Sequence, residues 1–351
     1  MAYTTIPKSS AHFNAKLYTG TGSSNAVTGI GFSPSFTWLK NRVTTNHHTL
    51  FDAVRGANKV IYSNLNAQQY TVTQELKSFD SDGFTVGTES SANGNGNGIV
   101  SWNWKANGSG SSNTDGTISS TVSANTTSGF SIVKYTGTQA TATVGHGLGI
   151  APKMIFFKNV DVADEWLAGV DSGSIDFTKY AYLNLTNLFS GNGAAFFNDT
   201  NPTSSVFSLG NSSNINKTGS AIIAYCFADV PGFSKINSYI GNGNADGTFI
   251  YTGFKPAFVM TKIATGSANA WIMFDNKRPN YNGNSGRLEA DSSGAETSST
   301  GEYAVDLLSN GFKFRGTGGG TNSSGQTYLY MAFAENPFVS NVGESIPTTA
   351  R

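Results

Sequence analysis

Gly29-Ile30-Gly31-Phe32-Ser33-Pro34, followed by Phe36-Thr37-Trp38-Leu39-Lys40-Asn41-Arg42, is the stretch on which the reading of the chain turns, because it recurs twice. The second occurrence is Gly147-Leu148-Gly149-Ile150-Ala151-Pro152 leading into Ile155-Phe156-Phe157-Lys158-Asn159. The third is Thr252-Gly253-Phe254-Lys255-Pro256 leading into Val259-Met260-Thr261-Lys262. A tyrosine motif precedes each: Tyr18-Thr19-Gly20-Thr21, Tyr135-Thr136-Gly137-Thr138 and Tyr239-Ile240-Gly241-Asn242. Pro34 and Pro152 stand 118 positions apart, and Pro152 and Pro256 stand 104 apart. A period of that size makes the repeat a domain-sized unit and not a solenoid turn.

Later landmarks keep the same order. A second strand ends on a carboxylate in each copy, at Asp52, Asp171 and Asp275, and each copy closes on an aromatic strand. Those closing strands are Ile99-Val100-Ser101-Trp102-Asn103-Trp104, Ala221 to Ala228, and Tyr328 to Ala334. Val100, Trp102 and Trp104 alternate, which in a strand puts them on one face. Between the runs lie Asp82-Gly83, Asp115-Gly116, Asp246-Gly247 and Asn310-Gly311, turn dipeptides expected to supply positive φ. Helical periodicity is nearly absent; Phe177 to Leu183 reads as a turn leading into a strand. About a hundred residues with some seven short strands is the pattern of a β-sandwich. The expectation is an all-β chain of three tandem sandwich or jelly-roll-like, lectin-like domains at 14–106, 129–230 and 231–338. Residues 1–13 read as an attachment segment, 107–128 as a Gly/Ser/Asn linker, and 339–351 as a tail.

Composition bounds the function. Of 351 residues, 13% are charged, with 22 Lys+Arg against 22 Asp+Glu. About 25% charged is usual. Hydrophobic residues at 38% and aromatics at 12% speak against disorder. A net charge of zero with no basic cluster argues against nucleic acid or an anionic membrane as the main partner. No stretch approaches the roughly 20 apolar residues of a membrane span. Met1 to Lys8 has no secretory apolar run, so the chain is expected to be soluble.

Catalytic candidates are few. Cys226 lies in an apolar run and reads as a small buried hydrophobe. His47-His48 lies in the polar stretch between two strands, where adjacent residues point opposite ways, and reads as a solvated loop. His146, in Gly145-His146-Gly147-Leu148-Gly149, imitates a phosphate cradle but precedes no helix, so it reads as a turn. Asp80-Ser81-Asp82-Gly83 imitates the start of a calcium loop without the closing Glu and reads as a hairpin turn. Asp52, Asp171 and Asp275 occur once per repeat, without a second acid at the 5–10 Å spacing of about that order that glycoside cleavage needs, and read as structural. Asn125-Thr126-Thr127 and Asn211-Ser212-Ser213 read as composition. No catalytic, metal or cofactor residue is assigned, and no ligand-binding residue is singled out.

The repeated segments resemble a domain of structural proteins of marine tailed bacteriophages, cyanophages included. The resemblance rests on Gly29 to Pro34 with Trp38 to Arg42, on Leu50-Phe51-Asp52-Ala53-Val54-Arg55-Gly56, and on Phe79-Asp80-Ser81-Asp82-Gly83-Phe84. It extends over Trp102 to Ala106, Gly129 to Gly137, Ala224 to Ala228 and Met331 to Phe338. It implies a non-enzymatic virion protein, made in the host cytoplasm and carried on the particle surface. Its role would be that of a tail-fibre or tail-associated component that adsorbs to host glycans. The alternative is a capsid decoration or head fibre, and a polysaccharide-degrading tailspike comes third. Implied partners are other virion proteins and copies of the chain, a trimer among the options.

Overall fold

The structure is a computed structural model that describes residues 4, 6–278, 282, 286–298 and 301–337. The expected tail 339–351 therefore lies outside the described residues, as does part of the segment 1–13. The first repeat contains β1 (Phe13–Thr19), β2 (Asn25–Thr28), β3 (Phe36–Asn41), β4 (Thr49–Asp52), β5 (Lys59–Tyr62), β6 (Tyr70–Thr71), β7 (Leu76–Asp80), β8 (Gly83–Val86) and β9 (Gly98–Trp104). The second contains β10 (Ser111–Asn113), β11 (Ser120–Asn125), β12 (Phe130–Thr136), β13 (Ala142–Gly145), β14 (Met154–Asn159), β15 (Leu167–Val170), β16 (Lys179–Tyr182), β17 (Ser190–Gly191), β18 (Val206–Leu209) and β19 (Ala221–Phe227). The third contains β20 (Ser234–Ile240), β21 (Phe249–Tyr251), β22 (Phe254–Ile263), β23 (Ile272–Asp275), β24 (Gly286–Glu289), β25 (Thr297–Ser298), β26 (Val305–Leu308), β27 (Gly311–Phe314) and β28 (Thr327–Pro337).

The chain is all-β, and one strand order recurs. The large sheets run β1-β9-β3-β4-β5-β6, β12-β19-β14-β15-β16-β17 and β20-β28-β22-β23-β24-β25, the second extended by β10 and β11 beside β12. A small sheet accompanies each: β2-β8-β7, β13-β18 and β21-β27-β26. The strands β1, β12 and β20 thus lie beside the closing strands β9, β19 and β28, as in Phe13↔Trp104, Phe130↔Phe227 and Ser234↔Phe333. The Pro-led strand pairs on the far side of the closing strand.

The central strands are buried on both faces. In the first repeat Leu39, Phe51 and Val60 meet Val27, Phe84 and Val86 of the small sheet in one apolar cluster. Trp38, Trp102 and Trp104 turn the other way, into a cluster that also holds Phe156, Tyr225, Phe227, Phe258 and Phe333. That inner cluster draws on all three repeats, which are therefore not beads on a string. At its centre Trp104, Phe227 and Phe333 hold equivalent positions in the three closing strands. Their centroids form a near-equilateral triangle, 6.1 Å, 5.9 Å and 5.6 Å on a side. Residues of this kind bury the largest apolar area per side chain, and their edge-to-face contacts add to it.

The tyrosine motif recurs in the structure with the same partners. Tyr18, Tyr135 and Tyr239 donate from Oη to the carbonyls of Ala92, Ile215 and Thr321. Two residues on, a Cβ on Gly20, Gly137 or Gly241 would sit 2.2–2.4 Å from a carbonyl oxygen, so only glycine fits. A buried asparagine follows each accepting carbonyl, and Asn93, Asn216 and Asn322 bond the neighbouring loops through both ends of the amide. Three expectations need correction. Gly116, Gly247 and Gly311 have no positive φ; each instead lies where a Cβ would come within 2.4 Å of a carbonyl oxygen on the strand alongside. Residues 107–128 contain β10 and β11, because Ser120–Asn125 finds the open edge of β12. The first thirteen residues are not wholly outside the repeats: Ile6 and Phe13 are buried in the inner core, and Phe13 begins β1.

Candidate functional site

Two of the titratable groups singled out in the sequence, Asp52 and Asp275, serve the junctions between repeats. Asp52, at the end of β4, accepts from Arg55 Nε at 2.5 Å and from Tyr225 Oη of the second repeat at 2.7 Å. Asp275, at the end of β23, accepts from Arg278 Nε at 2.6 Å and from Trp102 Nε1 of the first repeat at 3.0 Å. Both arginines also donate to a carbonyl of the same strand, Leu50 or Met273. Asp275 lies below the usual carboxylate range: burial opposes this, but the Arg278 guanidinium and backbone N–H groups outweigh it. These are fully satisfied buried pairs with no free oxygen aimed at a cavity.

Asp171 does not belong to this set. The registers Phe36↔Asp52, Met154↔Val170 and Phe258↔Asp275 put Val170 at the equivalent place. Asp171 lies one residue further on, where it pairs with Lys153 at 2.5 Å and is partly exposed. The sequence alignment of the three acids slips by one because the repeats differ there by a residue that a strand period of two turns to the other face.

A second ring was not singled out from sequence. Lys40, Lys158 and Lys262 are the penultimate residues of the Pro-led strands and are wholly buried. Each ammonium donates to carbonyls of its own loop and to one loop of a neighbouring repeat: Ser293 for Lys40, Asn66 for Lys158, Thr186 for Lys262. Burial lowers all three to about 8. Alongside runs a ring of aromatic donors. Trp166 Nε1 donates to Tyr62 O and Trp271 Nε1 to Tyr182 O, both at 2.8 Å. His48 holds the third place. It is buried, not solvated as expected, and its Nδ1 accepts from Trp38 Nε1 at 2.8 Å. Its Nε2 makes no bond within ordinary limits, although the Glu289 backbone lies in electrostatic reach. Burial and then Lys40 hold this imidazole neutral, well below its ordinary range.

The remaining candidates are dispersed. His146 is buried, bonded to Thr203 O and to the backbone of Leu148. Asp80-Ser81-Asp82-Gly83 is the hairpin turn between β7 and β8, and exposed Asp82 accepts from the N–H groups of Gly29 and Gly31. Cys226 is buried, with its thiol pushed up by desolvation. Asn125 is part-buried, bonded to Lys105 O and Ser128 N, while Asn211 is exposed. Among the described residues no group of three or more His, Cys, Asp or Glu could hold a metal, and no helix is long and apolar enough to cross a membrane.

An aromatic shelf reaches the surface on the first repeat. Tyr62 ends β5 and Tyr70 begins β6, with ring centroids 6.2 Å apart; His47 lies 5.4 Å from Tyr62 on the other side. Tyr70 is 47% exposed. The Asn64 amide lies 2.8 Å from His47 Nδ1, while Lys59 Nζ donates to Thr71 Oγ1 at 2.7 Å on the opposite face of the β5–β6 pair. Planar faces flanked by an amide can take up a polar ring compound by stacking and hydrogen bonding. In the second repeat Tyr180, Tyr182 and Phe196 make a similar cluster, with centroids 5.2 Å and 4.4 Å apart. The chain belongs to the family described as Domain of unknown function (DUF7483), whose profile matches residues 8–337. No curated protein matches the chain. No solved structure matches it either.

Proposed function

We propose that this member of the family is a non-enzymatic surface component of a tailed-phage particle, whose exposed rings contact host-cell glycans. The resemblance noted in the sequence supports the particle. The observation that carries the glycan contact is the His47–Tyr62–Tyr70 shelf with its adjacent Asn64 amide. The shelf stands on β5 and β6, anchored to the body by the bond from Trp166 to Tyr62 O, so its rings are held in place before a ligand arrives. Low charge makes such a contact weakly dependent on salt.

Binding of the purified full chain to host cells and to their surface polysaccharide tests this reading. Tyr70→Ala is expected to weaken binding by about tenfold or more, the scale of one aromatic anchor. No binding by the unaltered chain, together with normal adsorption of phage lacking it, would sink the proposal. New reducing ends in the polysaccharide would replace it with an enzyme. A second reading, an architectural capsid or head-fibre part, is favoured by the core common to all three repeats, which suits a load-transmitting body. The position of the chain in an image of the particle separates the two.

A further inference from the structure

The outer strand of each small sheet allows a three-way comparison. Val27, Val144 and Ile250 are equivalent inward residues, facing Phe84, Phe207 and Phe312 across the register. Hydrogen-bonded and non-bonded pairs alternate along an antiparallel ladder. The N–H and C=O of the residues flanking each of these positions therefore point to the open side of the strand. In the second repeat that side is taken by the chain itself: Ile118 N–H donates to Thr143 O at 3.0 Å, and Thr143 N–H donates to Thr117 Oγ1 at 2.8 Å. In the third repeat the equivalent flanking residues are Phe249 and Tyr251, and among the described residues no strand lies beside them. Phe249 is 43% and Tyr251 63% exposed. Tyr251 O receives only a long bond, 3.5 Å from Tyr330 Oη. The first repeat has the small residues Ala26 and Thr28 at these places.

An unprotected edge carrying large apolar side chains is a template for another strand, and folded proteins ordinarily blunt it with Lys, Pro or a cover. Here the sequence indicates what it pairs with. Gly247-Thr248-Phe249-Ile250-Tyr251-Thr252-Gly253 reads nearly the same in both directions about Ile250. We propose that β21 pairs antiparallel with β21 of a second copy of this chain, about a twofold axis at Ile250. Phe249 then lies opposite Tyr251 of the second copy, Thr248 opposite its Thr252, and Gly247 opposite its Gly253. Each Phe249–Tyr251 pair exchanges two backbone hydrogen bonds and stacks its rings on one face, a pairing that stabilises adjacent strands. The interface is isologous and closes at two copies. It unites two small sheets into one of six strands.

Sedimentation of the full chain over micromolar to submillimolar concentration tests the proposal. A monomer–dimer equilibrium is expected. Phe249→Pro removes an outward N–H without touching the pairing to β27, and Tyr251→Lys keeps the N–H but loses the stacked ring. Each is expected to weaken the dimer at least about tenfold, the scale of losing an interface anchor, with unfolding temperature unchanged. Ala26→Pro, on the equivalent edge of the first repeat, is expected to leave the dimer intact. A full chain monomeric throughout the range, a trimer or open-ended assembly, or a dimer indifferent to a folded Phe249→Pro or Tyr251→Lys chain would each overturn it.

Discussion

The junction of the first repeat with the second and that of the third with the first each bury an aspartate, whereas the second repeat places Val170 where those acids stand. The difference follows from the donor across the gap. Asp52 faces Tyr225 and Asp275 faces Trp102, each with an arginine three residues on. Tyr225 and Trp102 share a register position with Met331, opposite Phe156, Trp38 and Met260 in the Pro-led strands. The Met331 side chain has no N–H or O–H to give, and Gly173 occupies the place of the arginines. A buried carboxylate without donors is among the costliest groups a core can hold. Acid, arginine and aromatic donor therefore occur together or not at all.

An acid at position 170 is expected to be the most damaging change. Val170→Asp is expected to cost more than about 4 kcal/mol, since it buries a charge or forces a proton onto it with no partner. Chemical denaturation, or loss of soluble folded chain, reads this out; a shift below about 1 kcal/mol would show that the second junction tolerates what the others need. Next in size, Arg278→Met leaves Asp275 unpaired and is expected to destabilise by about 3–5 kcal/mol. Arg55→Met at the other acidic junction is expected to match it. Tyr225→Phe deletes one bond to a carboxylate that keeps its arginine, so the expected loss is about 1.5–3 kcal/mol. A silent Tyr225→Phe would mean that Arg55 alone suffices for Asp52.

The smallest expected effect is common to all three junctions. Lys40, Lys158 and Lys262 titrate at about 8 in the fold, below the ordinary lysine value near 10.4. Between those limits the unfolded chain binds more protons, so stability rises with pH. The cost of the buried ammonium groups is fully present below about pH 8 and fades above it. Cys226 acts oppositely from about pH 8.5, because its thiol stays protonated only in the fold, and the buried tyrosines do so from about pH 10. Melts at constant ionic strength are expected to rise modestly from pH 7.5 to about 9.5 and to fall beyond about 10.5. A monotonic fall across this range would mean that the carbonyl cages hold the lysines charged.

Much of this was legible in the primary structure. Repeated Pro-led strands, the tyrosine motif and the alternation of Val100, Trp102 and Trp104 identify the strands and one face of each closing strand. That face was not traceable to its partner, since alternation shows that a side is apolar and not what covers it. The same limit hid the lysine ring. Lys40, Lys158 and Lys262 each follow an apolar run, but a lysine at a strand end reads as solvated until the carbonyls of another repeat are beside it. His48 was misread for the same reason. Asp171 was misread because landmark spacing cannot resolve a one-residue offset, while hydrogen-bond register can. Of the aromatic shelf, only His47 was a candidate in the sequence, and it and Tyr70 are brought to Tyr62 only by the turn before β4 and the pairing of β5 with β6.

The triangle of Trp104, Phe227 and Phe333 sets a timetable for synthesis. Phe333 leaves the ribosome 229 residues after Trp104. At about 5–20 residues per second that interval is roughly ten to forty-five seconds, during which the first repeat carries an uncovered tryptophan face. The nascent chain therefore offers its stickiest surface early and retires it only with the last strand. Its yield in the cell is expected to depend on elongation rate and on chaperone supply more than the stability of the finished protein would suggest.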